Sequence, residues 1–255
     1  MERKIIVITG SSSGIGAALA RHLGQQGHSL VLAARREKEL RKVADISGTK
    51  ALTVATDVTV RQDMENLRNA AIKEFGHIDV WINNAGRGIL KNVLDLTDED
   101  VDVMIKVNLK SVLYGMQTII PHFQQRGKGH LINISSFLGR VPFVPARSVY
   151  NAAKAGVNSL TANLRMDLKA GYPGIHISLV MPGMVATEFA GNSLGATSKA
   201  GTAPSQGQNV DEVAAIIAGL LENPVAEIFT NPGSADMARL YYQDIAAFEE
   251  KTGRK

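Results

Sequence analysis

Seven short apolar runs recur along the chain, and longer segments with helical periodicity separate them. The runs are rich in Ile, Val and Leu and barely alternate with polar residues, which is typical of strands buried on both faces of a parallel sheet. Repeated strand–helix–strand order favours right-handed crossovers. The pattern predicts an α/β fold: a doubly wound, mostly parallel seven-stranded sheet with helices on both faces. The predicted strands span residues 4–9, 29–34, 50–56, 78–83, 130–135, 175–181 and 226–231.

Length and composition suit one domain with a full core. The 255 residues are 45% hydrophobic and 20% charged, which is usual for a single α/β domain. The formal net charge is only +4 and Lys and Arg are scattered, so no nucleic-acid partner is predicted. The chain has no cysteine, which excludes disulfides and thiol nucleophiles. The six histidines have no metal-like spacing, so no metal site is predicted.

The N-terminal segment bears on location. It reads MERKIIVITG and leads directly into the first apolar run. That run is too short for the core of a signal peptide or for a membrane span. We therefore expect a cytoplasmic protein with no membrane partner.

A glycine-rich segment follows the first predicted strand and opens the first helix. It reads TGSSSGIG, from Thr9 to Gly16. Glycines let backbone N–H groups approach a pyrophosphate, and a helix N-terminus favours its charge. The glycines at 10, 14 and 16 depart from G-x-G-x-x-G spacing. They resemble the T-G-x-x-x-G-x-G motif of the short-chain dehydrogenase/reductase family.

The resemblance extends almost end to end. Each further motif falls at the C-terminal end of a predicted strand or early in the next helix, the edge at which open α/β sheets bind ligands. The motifs are TDV at 56–58, NNAG at 83–86, KVNLKS around Asn108, INISS at 132–136, YNAAK at 150–154 and MPGMVAT at 181–187. The resemblance implies a single NAD(P)-binding Rossmann-like domain over residues 1–255. It also implies hydride transfer between a nicotinamide and a small-molecule ketone or secondary alcohol.

Tyr150 and Lys154 are the candidate catalytic pair. They are four residues apart, so on a helix both side chains point to one face. A free tyrosine titrates near about 10, and a nearby ammonium favours the phenolate. By resemblance, Tyr150 is the general acid/base and Lys154 also binds the nicotinamide ribose. The resemblance further implies that Ser136 holds the substrate oxygen and that Asn108 supports a water between Lys154 and solvent.

Two adjacent serines are candidates for the residue that holds the substrate oxygen. Ser135 and Ser136 are adjacent, and successive residues of a strand face opposite sides, so only one can serve. The family uses the second serine of such a pair, which favours Ser136, and Ser135 stays open as the alternative.

Cofactor choice depends on the end of the second strand. That strand ends at Ala34, where an NAD-preferring relative has an acidic residue for the ribose. Arg35 and Arg36 follow, and guanidinium binds phosphate through paired hydrogen bonds. By resemblance we expect NADP(H), because family members with Arg in the position of Arg35 prefer it. The preference should be less steep because Ser13 stands where the family can have a second basic residue. The implied cofactor contacts are Gly10, Ser12, Ser13, Gly14, Ile15, Gly16, Arg35, Arg36, Asp57, Val58, Asn84, Ala85, Gly86, Tyr150, Lys154, Pro182, Gly183, Val185 and Thr187.

Residues 187–209 interrupt the alternation of strands and helices. They are small, polar and rich in Gly, and a long irregular connection in a compact domain is often functional. The resemblance implies a mobile lid over cofactor and substrate. An apolar wall would favour a ketone or alcohol of low polarity, whereas Arg87, Arg140 and Arg147 could bind a carboxylate instead. The predicted substrate contacts are Ser136, Phe137, Phe143, Met184, Phe189 and Leu194.

The C-terminal segment continues past the usual end of the family. Apolar residues at helical spacing predict one helix over about 233–250. That helix could cover the surface of the seventh strand that the common family tetramer uses. We therefore expect a homodimer through the helices that carry Asn108 and Tyr150, with a homotetramer as the alternative.

An alternative function is a catalytically silent nucleotide-binding sensor or scaffold of the same fold. The resemblance assigns chemistry to four residues, and a binding-only protein does not need all of them. Their joint presence at 108, 136, 150 and 154 favours the enzyme.

Overall fold

The computed structural model describes residues 2–195 and 207–252, and a seven-stranded sheet runs through them in the order β3-β2-β1-β4-β5-β6-β7. Every neighbouring pair is parallel. The predicted fold class is confirmed. The second and sixth strands match their predicted bounds, whereas the fourth begins two residues later than predicted. The strands are β1 Ile5–Thr9, β2 Ser29–Ala34, β3 Ala51–Ala55, β4 Val80–Asn83, β5 Gly129–Ile134, β6 Ile175–Met181 and β7 Glu227–Phe229.

Helices cover both faces of the sheet in the described residues. They are α1 Gly14–Gln25, α2 Glu37–Ile46, α3 Arg61–Phe75, α4 Asp98–Ile105, α5 Ser111–Arg126, α6 Ser148–Lys169, α7 Val210–Gly219, α8 Ser234–Gln243 and α9 Ile245–Thr252. One apolar layer joins the sheet to α1, α2 and α7, and the other joins it to α3, α5 and α6. Among these helices, none has both the length and the apolarity needed to cross a bilayer.

The strands lack alternation because both of their faces are buried. In β1, Ile6 and Ile8 pack in the layer with α1 and α7, and Val7 between them packs in the opposite layer. Successive strand residues point to opposite faces, so each of these three positions needs an apolar side chain.

β1 lies at the point where the strand order reverses. It pairs with β2 on one side and β4 on the other. The connections that leave β1 and β4 therefore diverge at the carboxyl edge and open a crevice there. Ligands of open α/β sheets bind at such a crevice, and both the glycine-rich segment and the segment 83–86 border it.

A buried chain of polar side chains fastens α6 to the middle of the sheet. Trp81 Nε1 donates to Asn83 Oδ1 at 2.8 Å, and Asn83 Nδ2 donates to Asn133 Oδ1 at 2.9 Å. Asn133 Nδ2 then donates to Thr161 Oγ1 on α6 at 3.1 Å. Gly115 of α5 makes room, because a Cβ there would lie 2.1 Å from Asn83 Oδ1.

The C-terminal segment differs from its prediction. In place of one helix over 233–250, the structure has α8 and α9, separated at Asp244 with φ −155° and ψ 97°. The Asp244 carboxylate accepts a hydrogen bond from Ala247 N at 3.0 Å, so it caps α9, and aspartate is a favoured N-cap residue. The two helices pack Tyr241 and Phe248 against Phe137 and its neighbours. The homodimer stays a prediction.

We expect Gly115→Ala to lower the free energy of unfolding by about 1–3 kcal/mol, the usual cost of overpacking a core. The added methyl group would displace Asn83 and strain the chain of hydrogen bonds to α6. Gly219→Ala is the matched control, since a Cβ at Gly219 meets nothing within 4 Å. It removes another helical glycine and should stabilise by up to about 1 kcal/mol. Urea unfolding measures both, and equal effects of the two substitutions would contradict the steric argument.

Candidate active site

The glycine-rich segment forms a tight turn between β1 and α1. Gly10 and Gly14 have φ of +67° and +56°, a region that glycine enters without steric cost. Gly16 is glycine for a different reason, because a Cβ there would lie 2.5 Å from Gly10 O. The Ser13 side chain makes no capping hydrogen bond to α1. N–H groups of the first helical turn thus remain available to an anion.

The end of β4 braces this turn. Asn84 Nδ2 donates to Thr9 O at 2.9 Å and to Gly10 O at 3.2 Å. The Thr9 hydroxyl accepts from Asn84 N at 3.0 Å and from Ala85 N at 3.2 Å. Asn84 and Ala85 were predicted only as cofactor contacts. In the structure they also hold the carboxyl ends of two adjacent strands together.

Arg36 reaches the glycine-rich segment. Its Nη2 donates to Ser12 Oγ at 3.1 Å and to Ser13 Oγ at 2.8 Å. Arg35 and Arg36 are both exposed, so neither guanidinium is committed to the core. The contact with Ser12 and Ser13 places Arg36 at the turn, whereas the resemblance singled out Arg35.

Asp57 lies after β3 with its carboxylate ordered by a local turn. Thr59 donates to Asp57 Oδ1 from its backbone N at 2.9 Å and from its hydroxyl at 2.8 Å. Burial opposes ionisation of this carboxyl, but the Thr59 hydrogen bonds and the charges of Arg35 and Lys106 outweigh burial and lower its pKa. Asp57 is therefore an ionised carboxylate at neutral pH.

Tyr150 and Lys154 are buried on one face of α6, as predicted from their spacing. The Lys154 Nζ lies 5.8 Å from the centre of the Tyr150 ring and donates to Ile134 O at 2.9 Å. Burial lowers the pKa of Lys154 to about 8. Burial also raises the pKa of Tyr150, while the Ser136 hydroxyl and the charge of Arg147 lower it. The Lys154 ammonium was expected to lower the pKa of Tyr150. In the structure, Ser136 and Arg147 are the groups that lower this pKa.

The two adjacent serines turn in different directions. Ser135 Oγ donates to Asn158 Oδ1 at 2.5 Å and to Lys154 O at 3.1 Å, so α6 occupies its hydroxyl. Ser136 Oγ accepts from Leu138 N at 3.2 Å and interacts with the Tyr150 phenol. This geometry favours Ser136 over Ser135 as the serine that faces a ligand.

Asn108 is fully buried in a π-helical turn, Lys106–Lys110, between α4 and α5. Its Oδ1 accepts from Arg87 N at 3.0 Å and its Nδ2 donates to Arg87 O at 2.9 Å. A Cβ on Gly86 would lie 3.0 Å from Asn108 Oδ1 and 3.7 Å from Lys154 Nζ. Asn108 therefore fixes the segment that contains Gly86 and Arg87, which lies between Asn108 and Lys154. No periodicity in the sequence marked the π-helical turn, which is often found at functional sites.

Part of the predicted lid lies over Tyr150. The Phe189 ring centre is 5.8 Å from that of Tyr150, and Leu194 packs against the cluster that contains Ile89 and Tyr150. Backbone hydrogen bonds fix Leu194, since its N donates to Gly88 O at 3.0 Å. Residues 196–206 of the predicted lid lie outside the described residues.

The other predicted contacts occupy varied environments. Phe137 is buried against the C-terminal helices, which suits a core residue better than a substrate contact, and Phe143 stacks beside it at 5.9 Å. Met184 is exposed. The Thr187 side chain lies beside Gly14, so it borders the glycine-rich turn. Among the remaining predicted cofactor residues, Ile15 and Val185 pack in one apolar layer, Val58 packs in the other, and Pro182 and Gly183 follow β6.

Arg147 lies beside Tyr150. The sequence alone did not distinguish it from Arg87 and Arg140 as a candidate for binding a carboxylate. Its Nη1 donates to Ser193 Oγ at 2.8 Å and to Ile89 O at 3.2 Å. Burial lowers the pKa of Arg147 and the Tyr150 phenolate raises it. Among the residues described, no three His, Asp or Glu side chains lie together in a way that could hold a metal ion.

Comparison with known proteins agrees with this arrangement. The sequence matches the short chain dehydrogenase family over residues 4–197. An uncharacterised oxidoreductase of Staphylococcus epidermidis is 38% identical over 187 residues, which are 73% of this chain and 80% of that protein. A short chain dehydrogenase/reductase of Burkholderia phymatum, solved with NAD, has a TM-score of 0.86 at 28% identity and covers 96% of this chain and 95% of its own. An alcohol dehydrogenase of Thermococcus sibiricus, solved with 5-hydroxy-NADP, has a TM-score of 0.78 at 28% identity over 89% and 96%.

We expect Lys154→Met to stabilise the ligand-free protein at neutral pH, with an advantage that shrinks as pH rises. The pKa of Lys154 falls from 10.5 to about 8 on folding, so between those values the unfolded chain binds more protons. Wild-type stability therefore gains from this group as pH rises from about 8 to 10.5. Urea unfolding across that range measures the difference, and Lys169→Met, on the exposed side of α6, controls for net charge. A constant difference between wild type and Lys154→Met would contradict the lowered pKa.

Proposed function

The chain belongs to the short chain dehydrogenase family, and from that premise we propose that it is an NADP(H)-dependent oxidoreductase acting on a ketone or secondary alcohol. One observation carries the proposal. Tyr150 and Lys154 share a buried face of α6, next to Ser136 at the carboxyl edge of the sheet. A phenol, an ammonium and a hydroxyl at one point are the groups needed to move a proton to or from a carbonyl oxygen.

The residues at the crevice fit a nicotinamide dinucleotide. Gly10 and Gly14 have left-handed backbone and Gly16 admits no Cβ, so the turn lets N–H groups come close to a pyrophosphate. The first turn of α1 would complete the anion site with its N–H groups and its dipole. The Burkholderia phymatum and Thermococcus sibiricus proteins were solved with NAD and with 5-hydroxy-NADP, and similar binding here is part of the proposal.

The nicotinamide, when bound, supplies the hydride donor or acceptor. In the direction of reduction, Tyr150 would donate its phenol proton to the carbonyl oxygen as the carbonyl becomes a secondary alcohol, and a phenolate would remain. In oxidation the phenolate takes the hydroxyl proton as the C–H bond breaks. Proton transfer by a positioned side chain contributes about 10²–10⁴ in rate.

Two neighbours support Tyr150 in this proposal. The Ser136 hydroxyl faces the phenol, so it can hold the substrate oxygen at the distance that proton transfer needs. Lys154 has three N–H donors, and Ile134 O takes one of them. The others would hold the nicotinamide ribose. The pKa of about 8 for Lys154 leaves it mostly protonated at neutral pH.

The choice of NADP(H) follows from the end of β2. Ala34 is buried there and adds no carboxylate that would repel a phosphate on the adenosine ribose. Arg36 lies at Ser12 and Ser13, and Arg35 follows Ala34 directly. Guanidinium pairs with phosphate through two charge-assisted hydrogen bonds. This pairing supports NADP(H) over NAD(H).

We expect Tyr150→Phe to abolish turnover while cofactor affinity stays within about threefold of wild type, a change of under 1 kcal/mol. The ring and its packing against Phe189 survive, and only the proton donor is lost. Turnover should fall by at least about a hundredfold. A panel of ketones and alcohols followed by nicotinamide absorbance, with cofactor binding by calorimetry, measures both quantities. Near wild-type turnover would reject the assignment, and cofactor binding without turnover by the wild type on the whole panel would favour a sensor or scaffold instead.

We expect the wild type to favour NADPH over NADH by at least about tenfold in kcat/KM, or about 1.4 kcal/mol. Ala34→Asp combined with Arg36→Ile should remove the bias, because it introduces repulsion and deletes the guanidinium at the phosphate turn. Arg35→Ile alone tests whether the adjacent arginine shares the role. Steady-state kinetics with both cofactors measures each variant, and equal use of NADPH and NADH by the wild type would end the proposal for NADP(H).

A further inference from the structure

Arg147 is held in one position beside Tyr150. It directly precedes α6, and its Nη1 is bound to Ser193 Oγ and Ile89 O. Gly88 makes room for it, since a Cβ there would lie 2.5 Å from Arg147 Nη1. The guanidinium therefore sits between the segment that contains Ile89 and the described part of the predicted lid, with little freedom to move.

The rest of the guanidinium remains free for a ligand. Over residues 2–195 and 207–252, Nε and Nη2 of Arg147 make no hydrogen bond to protein, and no carboxylate lies within ion-pair distance. Neither atom is among the buried polar atoms that lack a partner in this part of the chain, and Arg147 as a whole is half-buried. Arg140, by contrast, is paired with Glu227. A fixed, half-buried cation with open donors is typical of an anion-binding position.

Arg147 and Tyr150 lie about one helical turn apart at the start of α6. The charge of Arg147 lowers the pKa of the Tyr150 phenol, as expected for neighbouring groups. Phe189 covers both, because its ring lies 5.8 Å from the Tyr150 ring centre and its Cε1 would be 3.0 Å from a Cβ on Gly88. The shared contact with Phe189 places Arg147 next to the ligand site proposed at Tyr150.

We propose that Arg147 binds a carboxylate of the substrate, so that the preferred substrate is a short 2- or 3-oxo acid or the corresponding hydroxy acid. The inference rests on the proposed function, since it assumes that the reacting oxygen lies at Tyr150. The planar guanidinium can form paired, charge-assisted hydrogen bonds to a carboxylate. Because Nη1 is already anchored, little side-chain freedom is lost on binding.

The carboxylate would orient the substrate and take no part in the redox step. In oxidation of a hydroxy acid, the hydride leaves the carbinol carbon for the nicotinamide and the hydroxyl proton goes to Tyr150. The carbinol becomes a carbonyl and the carboxylate is unchanged. An apolar alcohol of the same size lacks the anchor and should bind more weakly.

The test compares acids with their methyl esters, which keep the reacting carbon and lose the charge. The substrates are 2-hydroxybutyrate, 3-hydroxybutyrate and the methyl ester of each, oxidised with saturating NADP⁺. We expect wild type to favour at least one acid over its ester by about tenfold or more in kcat/KM, about 1.4 kcal/mol. Arg147→Met should remove that preference, lowering kcat/KM for the acid by about tenfold more than kcat/KM for its ester.

Three variants separate recognition from other roles. Ser193→Ala deletes one anchor of Arg147 but keeps the charge, and it should retain the acid preference. Arg87→Met removes an arginine from the same edge and should also retain it. Arg147→Lys keeps a cation and should recover part of the preference. Should Arg147→Met fail to fold by circular dichroism, the acid-to-ester ratios of wild type and Arg147→Lys decide the question.

Several outcomes would overturn the inference. Equal kcat/KM for acids and esters in the wild type would show that no carboxylate is recognised. An equal loss for acid and ester in Arg147→Met would assign the residue to holding the segment around Ser193. Loss of the preference in Arg87→Met would move recognition to Arg87. If any of these outcomes occurs while neutral ketones are turned over, only the carboxylate proposal is rejected and the proposed oxidoreductase function is kept. No turnover of any compound would reject the proposed function itself.

Discussion

The hydrogen bonds between Thr9 and Asn84 are the constraint on which the site depends. Where the strand order reverses, the ends of β1 and β4 leave backbone groups without sheet partners, and buried groups of this kind must be paired. The Thr9 hydroxyl and the Asn84 amide pair them across the gap. The two strand ends are thereby drawn together, until a Cβ on Gly10 would lie 2.7 Å from Ala85 Cα. The turn that follows β1 can then be only as wide as glycine allows.

The helix α6 is also held firmly to the sheet, and its position determines where Tyr150 and Lys154 lie. The buried amides of Asn83 and Asn133 link it to the sheet at Thr161, and Ser135 ties it again near Lys154. Burying a lysine and a tyrosine costs free energy unless both are hydrogen-bonded. Ile134 O and Ser136 supply those partners, but burial still disfavours the Lys154 ammonium, so the helix holds Lys154 at some cost in stability. Such a cost is common at functional sites.

The sequence predicted the fold well because both faces of every central strand must be apolar, a pattern that β1 and β2 display without interruption. The sequence predicted less of the site, because the role of a side chain there depends on which individual atoms its polar group contacts. The hydroxyls of Ser135 and Ser136 could be separated only by the position of Asn158 on α6. Likewise, the sequence does not show that the Lys154 ammonium turns to Ile134 O or that Ser193 holds Arg147. The break at Asp244 was also missed, because the apolar periodicity continues through it while the carboxylate caps a new helix.

Competing effects on Tyr150 determine which direction of proton transfer the ligand-free site favours. Burial raises the pKa of its phenol, and Ser136 and Arg147 only partly offset that effect. The phenol is therefore protonated at neutral pH and ready to donate, as reduction of a carbonyl requires under the proposed function. Oxidation needs the phenolate, and a nearby positive charge favours it. An oxidised nicotinamide brings such a charge, whereas a carboxylate on Arg147 would cancel one. On the proposed mechanism, an acidic substrate on Arg147 would thus help to keep the tyrosine protonated, the state that donates a proton to a carbonyl oxygen.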